Sequence, residues 1–126
     1  MSDAAQDLLV AELYQSHGLN AEAIGLLTAL AKRNPGSAVR LMLGRLYLES
    51  GLPPEAEGAF TEALSLSSHT GELSFAAEAH IGLALVARAN SDEDSATAQF
   101  LEAKTILEEI GDSQALQDLE LWLDGN

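Results

Sequence analysis

Three histidines, twenty acids and many serines give this chain the raw material for several chemistries. A metal pair built on one helix needs a second histidine three or four residues away. His17, His69 and His80 each lack one. His17 lies beside a turn and His69 in a loop, while His80 falls on a helix, so structural or solvent-facing roles are expected. No cysteine occurs, which removes disulfides, thiolate metal sites and thiol nucleophiles. No serine stands in a G-x-S-x-G elbow, and no glycine loop is fit to cradle phosphate. Carboxylate pairs abound through composition alone, so none marks a general acid and base. The segment NSDEDSATAQFLE, residues 90–102, imitates a calcium loop, with Asn90, Asp92 and Asp94 alternating as first ligands. Ser95 replaces its turn glycine, and Leu101 occupies the closing bidentate position, with Glu102 one place late. The simpler reading is an acidic helix start, with Ser91 as cap and Asp92, Glu93 and Asp94 favoured by the dipole. No catalytic residue, metal or cofactor is expected.

Charge narrows the partners. The formal net charge is −14, and Lys and Arg together number six. Nucleic acid and anionic membranes need clustered cations, so both are excluded as partners. The opening MSDAAQDLLV has an early acid and no basic region ahead of an apolar stretch, unlike a secretory signal. The longest apolar runs, such as IGLALVA at 81–87, are far too short to span a bilayer. The composition reads as cytoplasmic, and a domain cut from a longer parent would read the same way. The short repeat style suggests a bacterial source.

The elements that must position any site are helices. Ala and Leu dominate and aromatic residues are few. LYQSHGLNAEAIGLL at 13–27 recurs as LYLESGLPPEAEGAF at 46–60. Leu13, Tyr14, Gly18, Leu19, Glu22, Ala23 and Gly25 return 33 residues later as Leu46, Tyr47, Gly51, Leu52, Glu55, Ala56 and Gly58. A period of this size marks stacked units. The first copy predicts helices over about 3–16, closed at Gly18, and 21–32, closed by Asn34-Pro35-Gly36. The second predicts a helix over about 38–49 with Ser37 as N-cap and Gly51 as its end. Its partner opens on Pro53-Pro54, suited to a first helical turn, and ends near Ser67. A third, divergent copy predicts helices over about 72–89 and 92–110. There Ala96, Phe100 and Ala103 answer Ala56, Phe60 and Ala63, now 40 residues on. The extra length falls in SSHTGELSFAAE, where it lengthens helix ends and the connection between copies. Gly111-Asp112 introduces a last helix over about 113–123, whose stripe of Ala115, Leu116, Leu119, Trp122 and Leu123 caps the third copy. Leu121 points off that stripe.

These residues resemble the tetratricopeptide repeat, whose pattern runs W-x2-L-G-x2-Y…A-x3-F…P. The second copy fits best, through Leu43-Gly44, Tyr47, Ala56, Phe60 and Ala63. The first offers Val10-Ala11, Tyr14, Ala23, Leu27 and Pro35, and the third Leu83-Ala84, Ala96, Phe100 and Ala103. No copy has the tryptophan, copies two and three lack the proline, and Ala87 replaces the third tyrosine. The resemblance covers about residues 4–110. It implies an all-α, right-handed α-solenoid of antiparallel helix pairs, about seven helices in one domain over 1–126. Repeat 1 would span about 4–36, repeat 2 about 37–70, repeat 3 about 72–110, and the capping helix about 113–123. Ala11, Gly44 and Ala84 are small where two helices of a unit cross, as are Ala23, Ala56 and Ala96 from the facing side. Tyr14, Tyr47, Leu27, Phe60 and Phe100 fill the space beside those crossings.

The resemblance also implies a non-catalytic protein-binding adaptor with a concave groove lined by the first helix of each repeat. The matching positions are Leu8, Glu12, Gln15, Leu41, Arg45, Leu48, Glu49, Ile81, Leu85 and Arg88. Two of six basic residues, Arg45 and Arg88, would thus face the groove of an acidic protein. They could grip a carboxylate on a bound peptide, with Leu41, Leu48, Ile81 and Leu85 in apolar contact. Alternatively they pair with Glu12 and Glu49 and only keep the surface soluble. The family's carboxylate clamp for chaperone tails is absent. Its repeat-one places hold Leu8 and Glu12, its repeat-two asparagine place holds Met42, and repeat three has Glu78 and Gly82. The acidic surface suits basic partners outside the groove. A second class of function lies in the apolar ends, Leu8, Leu9, Val10 and Leu13 at one and LELWL at 119–123 at the other. These either face inward, or pair with a second copy as a homodimer or array, or meet a neighbouring domain.

Overall fold

Glycines cut the chain into helices. Gly18, Gly51, Gly71 and Gly111 take φ between 73° and 78°, a left-handed backbone that only glycine adopts without strain. In the computed structural model, which describes residues 4–123, they separate all-helical segments. In chain order these are α1 (Ala4–Ser16), α2 (Asn20–Arg33), α3 (Ser37–Glu49), α4 (Pro53–Thr70), α5 (Leu73–Ala89), α6 (Glu93–Ile110) and α7 (Ser113–Leu123). The expected start of the first helix at Asp3 lies outside the described residues.

The 33-residue echo is one turn built twice. Leu19 and Leu52 each donate their N–H back to the carbonyls of Tyr14 and Tyr47, at 2.8 Å in both copies. Ala23 and Ala56 then donate to Leu19 and Leu52, which opens the next helix. Repeat three makes the same bonds, Asp92 to Ala87 at 2.8 Å and Ala96 to Asp92 at 3.0 Å. Here the left-handed position falls on Ser91, with φ 63°, the one non-glycine residue of positive φ among the described residues.

Two expected caps are corrected. Ser37 is not an N-cap: Gly36 holds that place, and Ser37 is the first helical residue, with its hydroxyl buried and unpartnered. Asn34 takes over the local capping instead, its Oδ1 accepting the Gly36 N–H at 2.9 Å. Likewise Asp92, not Ser91, caps α6, accepting from the Ser95 N–H at 3.1 Å and the Ser95 hydroxyl at 2.7 Å. The hydroxyl first, then the amide, holds the Asp92 carboxyl below its ordinary value of 3.8. That contribution to stability is therefore complete above 3.8 and is lost as pH falls through the lowered value. Asp112 caps α7 as expected, accepting from the Ala115 N–H. The extra length of the third repeat lies in the helices, since α4 runs to Thr70 and the connection to α5 is only Gly71-Glu72.

No repeat closes its own core. The first cluster joins Ala11 of α1, Leu27 and Leu30 of α2, and Val39 and Leu46 of α3. The second joins Leu41 of α3, Ala56 and Phe60 of α4, and Ala79 and Val86 of α5. The third joins Ala84 of α5, Phe100 and Leu107 of α6, and Leu119 of α7. Each cluster needs the helix that follows its repeat, α3, α5 or the capping α7, which is why the units stack. Leu121 is 64% exposed, as its position off the α7 stripe requires.

Arg40 locks the α2–α3 corner. Its guanidinium donates to the carbonyls of Asn34, Gly36 and Ala31 at 3.0–3.2 Å, satisfying groups that the end of α2 leaves unpaired. Its pairing with Glu62 of α4 at 3.1 Å adds less, because Glu62 lies in solvent. Arg33 holds α2 to α1 through Asp7 at 2.8 Å.

The tightest packing is at Phe60. A Cβ at Gly44 of α3 would stand 2.6 Å from its ring, and one at Gly82 of α5 would stand 2.4 Å from it. The ring is 1% exposed and cannot retreat without opening the contact of α4 with α3 or α5. Gly25 and Gly58 are also helical, but a Cβ there would meet nothing within 4 Å.

Alanine at these four glycines is therefore expected to give opposite signs. Gly25→Ala and Gly58→Ala should each stabilise by up to about 1 kcal/mol through helix propensity. At Gly44 and Gly82 the overpacking cost of ~1–3 kcal/mol exceeds that gain, so alanine should destabilise. Urea unfolding of the four variants checks this, and equal signs at all four would refute the wedge. Ser91→Gly removes the left-handed strain and should raise stability by about 1 kcal/mol in the same assay. A loss of stability there would mean that the serine side chain contributes something other than strain.

Candidate binding groove

The first helices of the three repeats converge on two adjoining hollows. One, of about 290 Å³, is lined by Glu12 and Gln15 of α1, Leu41, Met42 and Arg45 of α3, and Phe75 and Glu78 of α5. The other, of about 220 Å³, is lined by Arg45, Phe60, Glu78, Ile81, Gly82 and Leu85. Arg45 and Glu78 belong to both hollows. They form an ion pair at 3.4 Å with both side chains more than half exposed. At that exposure the pair has little energetic weight and can exchange partners readily.

Local sequence explains the lining. On α5, Phe75, Glu78, Gly82 and Leu85 fall at helical spacing on one face, with Ile81 beside them. Glycine at position 82 lets α5 approach Phe60, so the ring of a second-helix residue becomes part of the hollow between first helices. On α1, Glu12 and Gln15 are one turn apart, and Gln15 reaches across to α3. Its amide donates to both carboxylate oxygens of Glu49, at 3.1 and 3.3 Å.

The sequence-predicted residues divide into two groups. Glu12, Gln15, Arg45, Ile81 and Leu85 line the hollows, and Leu41 does so from below, being 1% exposed and part of the second core cluster. Leu8, Leu48, Glu49 and Arg88 line neither. Leu8 and Leu48 are half-buried against the first and second core clusters. Arg88 is engaged at the other end of α5. It donates to Glu93 at 3.1 Å and to the Trp122 carbonyl at 3.3 Å, and lies 5.1 Å from the centre of the Phe100 ring. Phe100 in turn stacks on Trp122 at 6.3 Å. The expected pairing of the arginines with Glu12 and Glu49 is thus corrected: their partners are Glu78 and Glu93.

Ala38, Met42, Phe60, Phe75, Glu78 and Gly82 complete the lining; the sequence reading placed Met42, Glu78 and Gly82 only at the absent clamp's positions and did not place Ala38, Phe60 or Phe75 there. The sequence predicts a helix from about residue 72 and α5 does start at Leu73, but the groove positions carried over from the repeat pattern begin only at Ile81. The available signal was the Phe75-Glu78-Gly82-Leu85 stripe.

Two further hollows open over the second helices. The larger, about 430 Å³, lies among α2, α3 and α4, and includes Lys32, Arg40, Glu55 and Glu62. Its arginine is already committed to the loop carbonyls. The other, about 290 Å³, includes Asp92, Ser95 and Gln99. Asp92 is bonded to Ser95, and Gln99 Oε1 lies 2.7 Å from His80 Nδ1. Among the described residues no cluster of three or more His, Asp or Glu is placed to hold a metal ion. No helix among them is long and apolar enough to cross a membrane.

The geometry agrees with the sequence relationship. A family model for the tetratricopeptide repeat matches residues 8–70 and again 41–113. No curated protein and no solved structure matches the chain. The two matched stretches overlap and together cover most of the chain, and α1 to α6 form three helix pairs as that repeat requires. The chain belongs to the tetratricopeptide repeat family, an all-α solenoid of helix pairs whose repeats generally mediate protein–protein interaction.

Proposed function

We propose that this chain is a non-catalytic adaptor that holds a segment of a partner protein in the groove between α1, α3 and α5. The observation that carries this reading is the pair of adjoining hollows built by three successive first helices and sharing Arg45 and Glu78. Such a surface offers both apolar area and exposed charge, the mixture that peptide grooves use for affinity and orientation. Glu12, Gln15, Arg45, Ile81 and Leu85 would form its walls, with Leu41 beneath. Leu8, Leu48 and Glu49 would act from the flanks, and Arg88 would steady the end of α5. A cytoplasmic setting belongs to the same proposal.

A second reading is self-association through the apolar ends. Leu9 and Leu13 on α1 are 57% and 52% exposed, and Val10 is exposed beside them. Pairing of this face with a second copy would cover it.

One set of measurements separates the two. Immobilised wild-type chain, Arg45→Glu and Lys104→Glu are each exposed to lysate of the source cells, and sedimentation gives the oligomeric state at micromolar concentration. Lys104 lies on α6, away from the groove. The adaptor reading expects a monomer, and a captured protein that Arg45→Glu loses by roughly tenfold while Lys104→Glu retains it. Equal loss with both variants would sink the groove assignment. Retention of the chain alone, with a dimer in sedimentation, would favour the second reading.

A further inference from the structure

We infer that the segment held in this groove pairs a Lys or Arg side chain with a neighbouring apolar side chain, the cation at the α1 end and the apolar group beside Phe60. This rests on the reading of the groove as a peptide site. Its basis is the division of the groove by the Arg45–Glu78 ion pair, which lines both hollows. On the α1 side the exposed charges are Glu12 and, held by Gln15, Glu49. Neither is in an ion pair with a Lys or Arg of the chain. On the far side the hollow is lined by Phe60, Ile81, Gly82 and Leu85, with no charged group beyond the dividing pair itself.

The sign of charge decides the partner. Two carboxylates, Glu12 and Glu78, line the groove with one guanidinium, Arg45, and a third, Glu49, stands on its flank against Gln15. The second arginine that the sequence offered, Arg88, is occupied by Glu93, the Trp122 carbonyl and the Phe100 ring. An acidic segment would have to displace Glu78 from Arg45 and approach two further carboxylates. A basic segment gains from Glu12 and Glu49 without breaking any existing pair. The net charge of −14 adds a long-range field of the same sign, which steers cations in and acidic segments away. Gly82 contributes to the apolar preference by letting α5 close onto the Phe60 ring, so that ring, Ile81 and Leu85 form one continuous apolar lining.

The test is selection of short phage-displayed random peptides on the full chain. Enriched peptides are resynthesised with a fluorescent label, and their Kd is measured by anisotropy. The proteins compared are the wild type, Glu12→Lys with Glu49→Lys, Glu12→Gln with Glu49→Gln, and Leu85→Glu. The inference expects Lys or Arg next to an apolar residue in the enriched peptides. It also expects binding about tenfold weaker or more with the lysine double variant, intermediate with glutamine, weak with Leu85→Glu, and falling with added salt. The glutamine pair keeps side-chain size, so its intermediate effect separates lost charge from lost fold. Enriched peptides that are acidic, that Leu85→Glu abolishes and the lysine variant tightens, would overturn the basic partner and leave the groove reading intact. Peptides that bind all four proteins alike, or no enrichment at all, would overturn the groove reading and this inference with it.

Discussion

The ring of Phe60 sets the distance between repeats two and three. It lies against the backbone of α3 at Gly44 and that of α5 at Gly82, so three helices from two repeats meet on one side chain. A contact of this kind has little tolerance, because close-packed interiors respond to a single added methyl. The other junctions use the same plan with different parts. Phe100 in α6 packs with Ala84 of α5, where Gly44 stands in the preceding repeat. On its other side it meets Trp122, 22 residues further on, as Gly82 is from Phe60. An indole in place of a glycine holds the α7 backbone away and replaces backbone approach with ring stacking. To the core contact of Leu119 the last helix thereby adds two stacked aromatic rings and one arginine, Arg88, which spans α5, α6 and α7.

Turn chemistry made most of this fold readable. Gly18 and Gly51 stand where the chain must go left-handed, and the tyrosine carbonyls five residues before Leu19 and Leu52 close both turns. Repeat three keeps the backbone and changes the residue, and there the reading slipped by one. Ser91 looked like a cap because it is a serine before an acidic run. The backbone needs its position for the left-handed turn, so the cap passes to Asp92. Ser37 misled for a related reason. Residue type favours serine at an N-cap, but the bend after Pro35 lets Asn34 bond the Gly36 amide, and α3 starts one residue early. Cap preferences are local and weak, and one bond from a neighbour outweighs them.

The groove was only partly legible because its lining depends on which side chains of neighbouring first helices meet. The expected helix over about 72–89 matches α5, but the repeat pattern fixes the crossing residues, Gly44 and Ala84, and does not say which side chains of its first turns meet α3. The first turns of α5 bring Phe75 and Glu78 beside α3, and Glu78 takes the arginine that the sequence left available for Glu12 or Glu49. Leu41 belongs to both groove and core. Its spacing from Arg45 and Leu48 puts it on the groove face, yet α5 packs over it and draws it into the core. Arg88 could not be placed without the last helix, since the Trp122 carbonyl and the Phe100 ring engage it from outside its own helix.

Groove and core are therefore one construction. Phe60 is only 1% exposed, yet it lines the apolar hollow, so in the proposed reading the residue that spaces the repeats also floors the binding surface. Any side chain entering there meets a ring already fixed from two sides, and ordering that ring costs nothing further on binding. The polar rim is different in kind. Arg45, Glu78 and Glu12 are exposed and held by long, weak pairs or none, so they can rearrange around a charged group. A rigid apolar floor beside an adaptable acidic rim divides the labour of recognition. In the proposed reading the floor would fix where an apolar residue sits, and the rim would select the sign of the charge beside it.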